Sequence, residues 1–254
     1  MRILITNDDG IHAPGLVVLE KIARELSDDI YIVAPETDQS GVAHSLSLND
    51  PLRLREIDER RFAVKGTPTD CVIMGVRHLL KDNPPDLVLS GVNRGQNVAE
   101  DVTYSGTIAG ATEGTILGIR SIALSQAYGP GGHAAMSWRC AEAHGAATIR
   151  KVLDIEIDDD VLININFPAC APEEVAGTVA TMQGRRNQAL LAVDSRLDGR
   201  GNPYFWLAFS RHRIDPGEGT DLEALKDKRI SVTPLKIDMT DTKTVTVFAQ
   251  ALGG

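Results

Sequence analysis

The chain has 254 residues, 43% of them hydrophobic, a formal net charge of −9 and three cysteines. That length buries a substantial core and fits one large domain or a domain with an elaborated extension. The acidic balance argues against a nucleic-acid polymer as partner, because such affinity comes mainly from Lys and Arg neutralising phosphates.

Apolar runs of strand length alternate with helix-period segments through the first two thirds, which predicts a parallel sheet covered on both faces by helices. Residues 3–6 read as a strand. Pro14 suits a first helical turn, and Val18, Ile22 and Leu26 follow at helical spacing. Residues 30–34 are the next strand. After a loop over 35–42, residues 52–57 and 62–65 read as an antiparallel excursion around the charged turn "DER".

"GTPTDC" carries a helix start: Thr67 caps, Pro68 fits the first turn and Asp70 completes a capping box, with the helix running to about Leu80. Residues 87–90 form a buried strand. "SGTIAGATEGTIL" supplies a Gly-rich helix from near Gly106, and "SIALS" another strand. A long helix is expected over 134–153 and an apolar strand over 161–166, closing at Phe167 and Pro168.

The pattern then changes. "AGTVATM", "QALLAV" and "PYFWLAF" read as short strands between polar turns, so residues 1–168 are expected to form an α/β core and 169–254 a β-rich extension and tail. Such strands can project and meet another subunit, since an unpaired sheet edge has to be covered.

Cys71, Cys140 and Cys170 are odd in number and lack the spacing of zinc or redox motifs, as expected of ordinary buried thiols in a reducing compartment. The apolar run before Asn7 is too short for a signal peptide, and no window approaches a membrane span of about 20 residues. A cytoplasmic protein without membrane association is expected.

Open α/β sheets bind ligands beyond the carboxyl ends of their strands, where strand order reverses. Asn7, Asp8 and Asp9 follow the first strand. "PETDQSG", with Ser40 and Gly41, follows the second; "GVNRGQN", with Asn93 and Asn97, follows "DLVLS". Adjacent carboxylates must be solvated, share a proton or bind a cation. Carboxylate, hydroxyl and amide oxygens together suit a hard divalent ion such as Mg²⁺, Mn²⁺ or Ca²⁺.

At "YSGT" a helix N-terminus with Ser105, Gly106 and Thr107 favours an anion. A phosphomonoester held by metal and amides fits this set, and the chain has no P-loop signature. Each part alone has a plainer reading, as a solvated turn, a loop or a helix cap. His12 and His44 flank the site and can donate protons, yet read first as surface residues. Gly184 to Arg186, and Arg211 with Arg213, read as solvated charges.

These residues resemble the survival protein E, or SurE, family of metal-dependent nucleotidases and acid phosphatases over nearly the whole chain. The likeness rests on "ILITNDDGIHAPG", "VAPETDQSG", "GTPTDCV", "SGVNRGQN", "DVTYSGT" followed by "ATEG", and "GTD" with "ISVTPL". It implies one divalent metal per subunit, Mg²⁺ or Mn²⁺ with Ca²⁺ also accommodated, on Asp8, Asp9, Ser40 and Asn93. Asn97 and Ser105 to Thr107 would lie near the phosphate, and Asn7 and Gly41 are included with them.

The resemblance further implies a Rossmann-like core, a homodimer or homotetramer with an exchanged C-terminal segment, and hydrolysis of nucleoside 5′- or 3′-monophosphates. Asp8 is the first candidate for a direct chemical role, with Asp9 beside it. Two rivals fit less well. A haloacid-dehalogenase-like phosphatase would need a second Asp where Gly10 stands. A phosphorylation receiver module would need an Asp after its third strand, and "AVKGTPTD" offers none there.

Overall fold

A computed structural model of the chain describes residues 1–129, 131–186, 191–209 and 216–253. Nine strands form one sheet in the order β3-β4-β2-β1-β5-β6-β7-β11-β8. They are β1 (Ile3–Thr6), β2 (Ile30–Pro35), β3 (Leu54–Asp58), β4 (Arg61–Val64), β5 (Leu87–Arg94), β6 (Arg120–Gln126), β7 (Val161–Phe167), β8 (Thr178–Ala180) and β11 (Ile230–Lys236). Among the described residues of this sheet, only β3 on β4 and β11 on β7 pair antiparallel. The expected mostly parallel α/β sheet is thus present.

Strand alternation decides the two faces. Ile3 and Ile5 of β1 point toward helices α1 (Pro14–Arg24) and α5 (Arg139–Leu153), in one cluster with Ile32, Leu87, Leu89, Ile122, Leu124, Ile163 and Ile165. Leu4, between them, joins the opposite cluster with Val33, Val64, Val88 and Val72 of α2 (Pro68–Met74). Fully burying each such side chain stabilises by roughly 1.5–3 kcal/mol, so register is strongly specified.

Helix α4 (Gly106–Ile116) covers that second face. Its glycines explain how closely it lies. A Cβ at Gly106, Gly110 or Gly114 would stand 2.7 Å from Asp8 Cβ, 2.8 Å from Ser90 Oγ and 2.3 Å from Ser121 Oγ. One stripe of α4 therefore rests directly on the strands, and its N-terminus meets the end of β1.

The capping box of Thr67 and Asp70 is formed as expected. The helix changes character at Gly75, which fits against the Leu4 side chain, and continues as a π-helical turn over Gly75–Leu79. The helix expected from residue 134 begins later, at Arg139; Gly131 and Gly132 have positive φ and a 3₁₀ turn occupies Gly132–Ala135. That backbone cannot extend a right-handed helix.

Beyond residue 168 the chain returns to the sheet. β11 pairs with β7 (Ser231 opposite Asn166, Thr233 opposite Asn164) and β8 with β11. Strands β9 (Leu191–Leu197) and β10 (Pro203–Phe209) form a separate antiparallel pair. The start of "QALLAV", residues 188–190, and Arg211 and Arg213 lie outside the described residues. A short helix, α6 (Asp221–Lys226), precedes β11, and α7 (Thr242–Leu252) ends the described chain. Among the described residues no helix is long and apolar enough to cross a membrane.

Candidate active site

The chain runs from β1 outward to β2 and β4 on one side, then crosses to β5, β6 and β7 on the other. Strand order reverses between β1 and β5. Open α/β sheets hold their ligand crevice at such a point, beyond the carboxyl ends, and Asp8, Asp9 and Asn93 stand there.

The loop after β1 is held by its own polar groups. Asn7 is fully buried; its Nδ2 donates to Gly10 O at 2.9 Å, and Gly10 takes a φ of 100°, which favours glycine. Asn7 Oδ1 is buried with no hydrogen-bond partner among the described residues. Asp8 is 4% exposed. Its Oδ1 accepts from Thr107 Oγ1 at 2.6 Å, and Gly106 abuts its Cβ.

Burial pushes the Asp8 carboxyl up to about 7, with the neighbouring charges of Asp9 and Asp38 adding to it and the Thr107 bond opposing it. A carboxylate forced toward neutrality by its surroundings marks a place where a cation would restore the charge. Asp9 is half-buried, and its Oδ2 accepts from Arg94 N at 3.2 Å, which fixes it against the end of β5 beside Asn93.

Three further elements converge. Gln39 N donates to Asp8 O at 2.8 Å, drawing the loop that follows β2 onto the end of β1. Ser40 is exposed next to it, its backbone N–H donating to Asp38 Oδ1. Space around Gly41 is open. Asn93 Nδ2 donates to Gly95 O at 3.0 Å, turning the strand end into the following loop. Ser105 Oγ caps α4 by accepting from Ile108 N.

Asn97 sits one strand further on. Its Nδ2 donates to Ser125 Oγ at 2.9 Å. Its own peptide groups are clamped by Asn166, which accepts from Asn97 N at 2.8 Å and donates to Asn97 O at 3.1 Å, while Asn164 donates to the same carbonyl. Both asparagines are fully buried on β7. Read as an apolar strand, "VLININF" hid them; polar residues at alternate positions of a buried run were the available signal.

Arg186, expected as a solvated charge, is instead largely buried. Its side chain is 16% exposed and pairs with Asp101 of α3 (Asp101–Tyr104) at 2.7 Å, also donating to Val98 O. Glu100 adds a second carboxylate, accepting from Arg186 N at 2.9 Å, and burial raises the Asp101 carboxyl while Arg186 lowers it. Buried Asp221 accepts from Ala99 N and Gly184 N. These bonds fasten the returning chain to the loop that leads into α4.

His44 is not isolated either: its Nε2 lies 2.9 Å from Glu113 Oε2. His12 is exposed. The three cysteines are free, as expected, although Cys170 is only half-buried; burial holds the Cys140 thiol up at about 12.

Among the described residues no group of three or more His, Cys, Asp or Glu side chains could hold a metal ion. The edge instead combines two carboxylates with hydroxyl and amide groups, a donor set suited to a hard oxygen-preferring cation. The buried, unpartnered Asn7 Oδ1 and the raised Asp8 carboxyl fit such an ion.

An open, doubly wound α/β sheet that sets paired carboxylates against a helix N-terminus at its switch point defines a class of proteins binding anionic ligands at that edge. Comparison narrows the class. Residues 3–189 match the model of the family described as survival protein SurE. Similar chains include the 5′-nucleotidase SurE of Methylorubrum populi, 71% identical over 251 residues with 99% of each chain covered. Another is the 5′-nucleotidase SurE of Methylobacterium nodulans, 71% identical with both chains fully covered.

The solved structure of the SurE protein from Aquifex aeolicus superposes with a TM-score of 0.85 at 38% identity, covering 99% of each chain. The chain belongs to the SurE family.

Proposed function

We propose that this chain is a nucleotidase that hydrolyses nucleoside 5′-monophosphates, and 3′-monophosphates as well, to nucleoside and phosphate. The names of its relatives support the nucleotidase class. One observation carries the chemistry: Asp8, buried and bonded to Thr107, joins the acidic end of β1 to the N-terminus of α4. An anion-binding helix start and a cation-seeking carboxylate thus share one crevice.

Asp8, Asp9, Ser40 and Asn93 would hold one divalent ion, Mg²⁺ or Mn²⁺, with Ca²⁺ able to take the place. When bound, the ion supplies Lewis-acid stabilisation of charge on a phosphoryl oxygen. The chain's own groups do the rest. The free N–H groups of Gly106 and Thr107, with Ser105, Asn97, Asn7 and Gly41 around them, receive and orient the phosphate. Asp9 helps align the attacking water, Asp8 accepts its proton and returns it to the departing nucleoside oxygen, and the buried floor beneath Asp8 strengthens each of these interactions by excluding solvent.

Residues 169–254 would complete a homodimer or homotetramer by exchange of the C-terminal segment. Exposed apolar side chains on β9 and β10 (Val193, Leu197, Phe205, Trp206, Leu207) and on α7 (Val247, Phe248, Leu252) support that reading. A cytoplasmic location is proposed from the free thiols.

Purified protein should release phosphate from AMP with Mg²⁺ or Mn²⁺ present and stop on chelation. Asp9→Asn should keep the fold and lose most turnover. Chelator-resistant turnover, or full activity in that variant, overturns the assignment.

A further inference from the structure

The family motif "ATEG" contributes Glu113, which the hydrolytic reading leaves without a role. Glu113 is 7% exposed on α4. A buried carboxylate is costly without a partner, and its side chain receives Nε2 of His44, a residue of the loop that carries Ser40.

That loop, residues 36–53, has no regular secondary structure. It is fastened upstream by Gln39 N on Asp8 O and downstream where Thr67 Oγ1 donates to Ser45 O and Ser47 Oγ to Asp70 Oδ2. Between these anchors Gly41 and Ala43 take positive φ values of 78° and 52°. A non-glycine residue there costs about 1–3 kcal/mol and persists only where its surroundings impose it. Across this stretch Ala43 N donates to Tyr104 O at 3.3 Å, and His44 Nε2 bonds Glu113 Oε2 at 2.9 Å.

We propose that Glu113 is a positioning residue: through His44 it holds the loop against α4 and so sets Ser40 over Asp8. The same helix then arranges both halves of the site, its N-terminus facing the phosphate and its third turn steering a metal-ligand loop. The proposal rests on the reading of Ser40 as a ligand, and its test separates the two.

Mn²⁺ affinity by calorimetry, with amide hydrogen exchange of the metal-free protein, reads the latch without turnover. His44→Ala and Glu113→Ala should each weaken Mn²⁺ binding about ten-fold, the double variant no more than either alone, as expected for two residues acting as one unit. Exchange over residues 40–44 should quicken in both, with β1 and α4 unchanged. Glu113→Gln, which keeps an acceptor for the His44 N–H, should stay within about three-fold of wild type.

His44 is 38% exposed in its side chain, so its substitution leaves the core intact even if Glu113→Ala fails to fold. Wild-type affinity and wild-type exchange in His44→Ala overturn the latch while leaving the nucleotidase assignment standing. Additive losses in the double variant, or a loss in Glu113→Gln equal to that in Glu113→Ala, overturn it as well. A wild-type protein that binds no Mn²⁺ overturns the ligand reading of Ser40 itself, and exchange then decides the latch alone.

Discussion

Thr107 Oγ1 donates to Asp8 Oδ1 across 2.6 Å, linking the first turn of α4 to the carboxylate that follows β1. The bond orients Asp8, so that its second oxygen is left for other work. Thr107→Val keeps the shape and removes the donor. Hydrogen bonds to charged groups contribute about 1.5–3 kcal/mol, so kcat/KM for AMP should fall by about 10- to 100-fold. Thr107→Ser should recover most of it, and steady-state kinetics with a melting curve for each variant checks both.

Stability should respond to pH through Asp8. Its carboxyl is raised from 3.8 to about 7 on folding. A raised acid favours the folded state least when charged: the unfolded chain loses the proton first, so metal-free protein loses stability as pH climbs from about 4 to about 7 and stays lower above that. The full shift corresponds to at most about 4 kcal/mol. Asp8→Asn, unable to ionise, should therefore melt several degrees higher than wild type near about pH 8 in chelator. Mn²⁺ should raise the wild-type midpoint and leave that of Asp8→Asn nearly unmoved, which calorimetric scans would show.

Gly106 offers a purely steric test. Its φ is not in the left-handed region, and alanine favours helices over glycine. The added methyl would nonetheless lie 2.7 Å from Asp8 Cβ and 3.0 Å from its Oδ2. Gly106→Ala should thus lower kcat/KM by about 100-fold or more, since a displacement near 1 Å at reacting groups is enough for that, while circular dichroism keeps its helical signal.

Asn166→Asp keeps size and removes both N–H donors of Nδ2. The Asp can still accept from Asn97 N but faces Asn97 O and Asn164 Oδ1 with an oxygen in place of Nδ2. Leaving such buried groups unmatched costs about 1–3 kcal/mol. Denaturant midpoints should drop accordingly, and KM for AMP should rise more than kcat falls, because the clamp places Asn97 and takes no part in proton transfer.

Much of this was legible from local sequence. The apolar runs of β1, β2, β5, β6 and β7, the capping box at Thr67 and the helix start at Gly106 each carry their signal within a few residues. The convergence of Asp8, Asp9 and the loops after β2 and β5 followed from strand ends in a parallel sheet. What escaped depends on distant partners. Asn166 meets Asn97 from 69 residues away and Arg186 meets Asp101 from 85, and no periodicity reports such pairings. The late start of α5 escaped for another reason: its N-cap, Trp138, offers no side-chain hydrogen bond.

The placement of β7 has a consequence for biosynthesis. Domains take shape from the N-terminus as the ribosome advances, and every group from Asn7 to Thr107 emerges well before Asn166. The crevice is therefore roughed out early on a nascent chain, and its loop at Asn97 is locked only when the seventh strand arrives. Final closure waits for β11, which must come back antiparallel along β7 from the far end of the polypeptide.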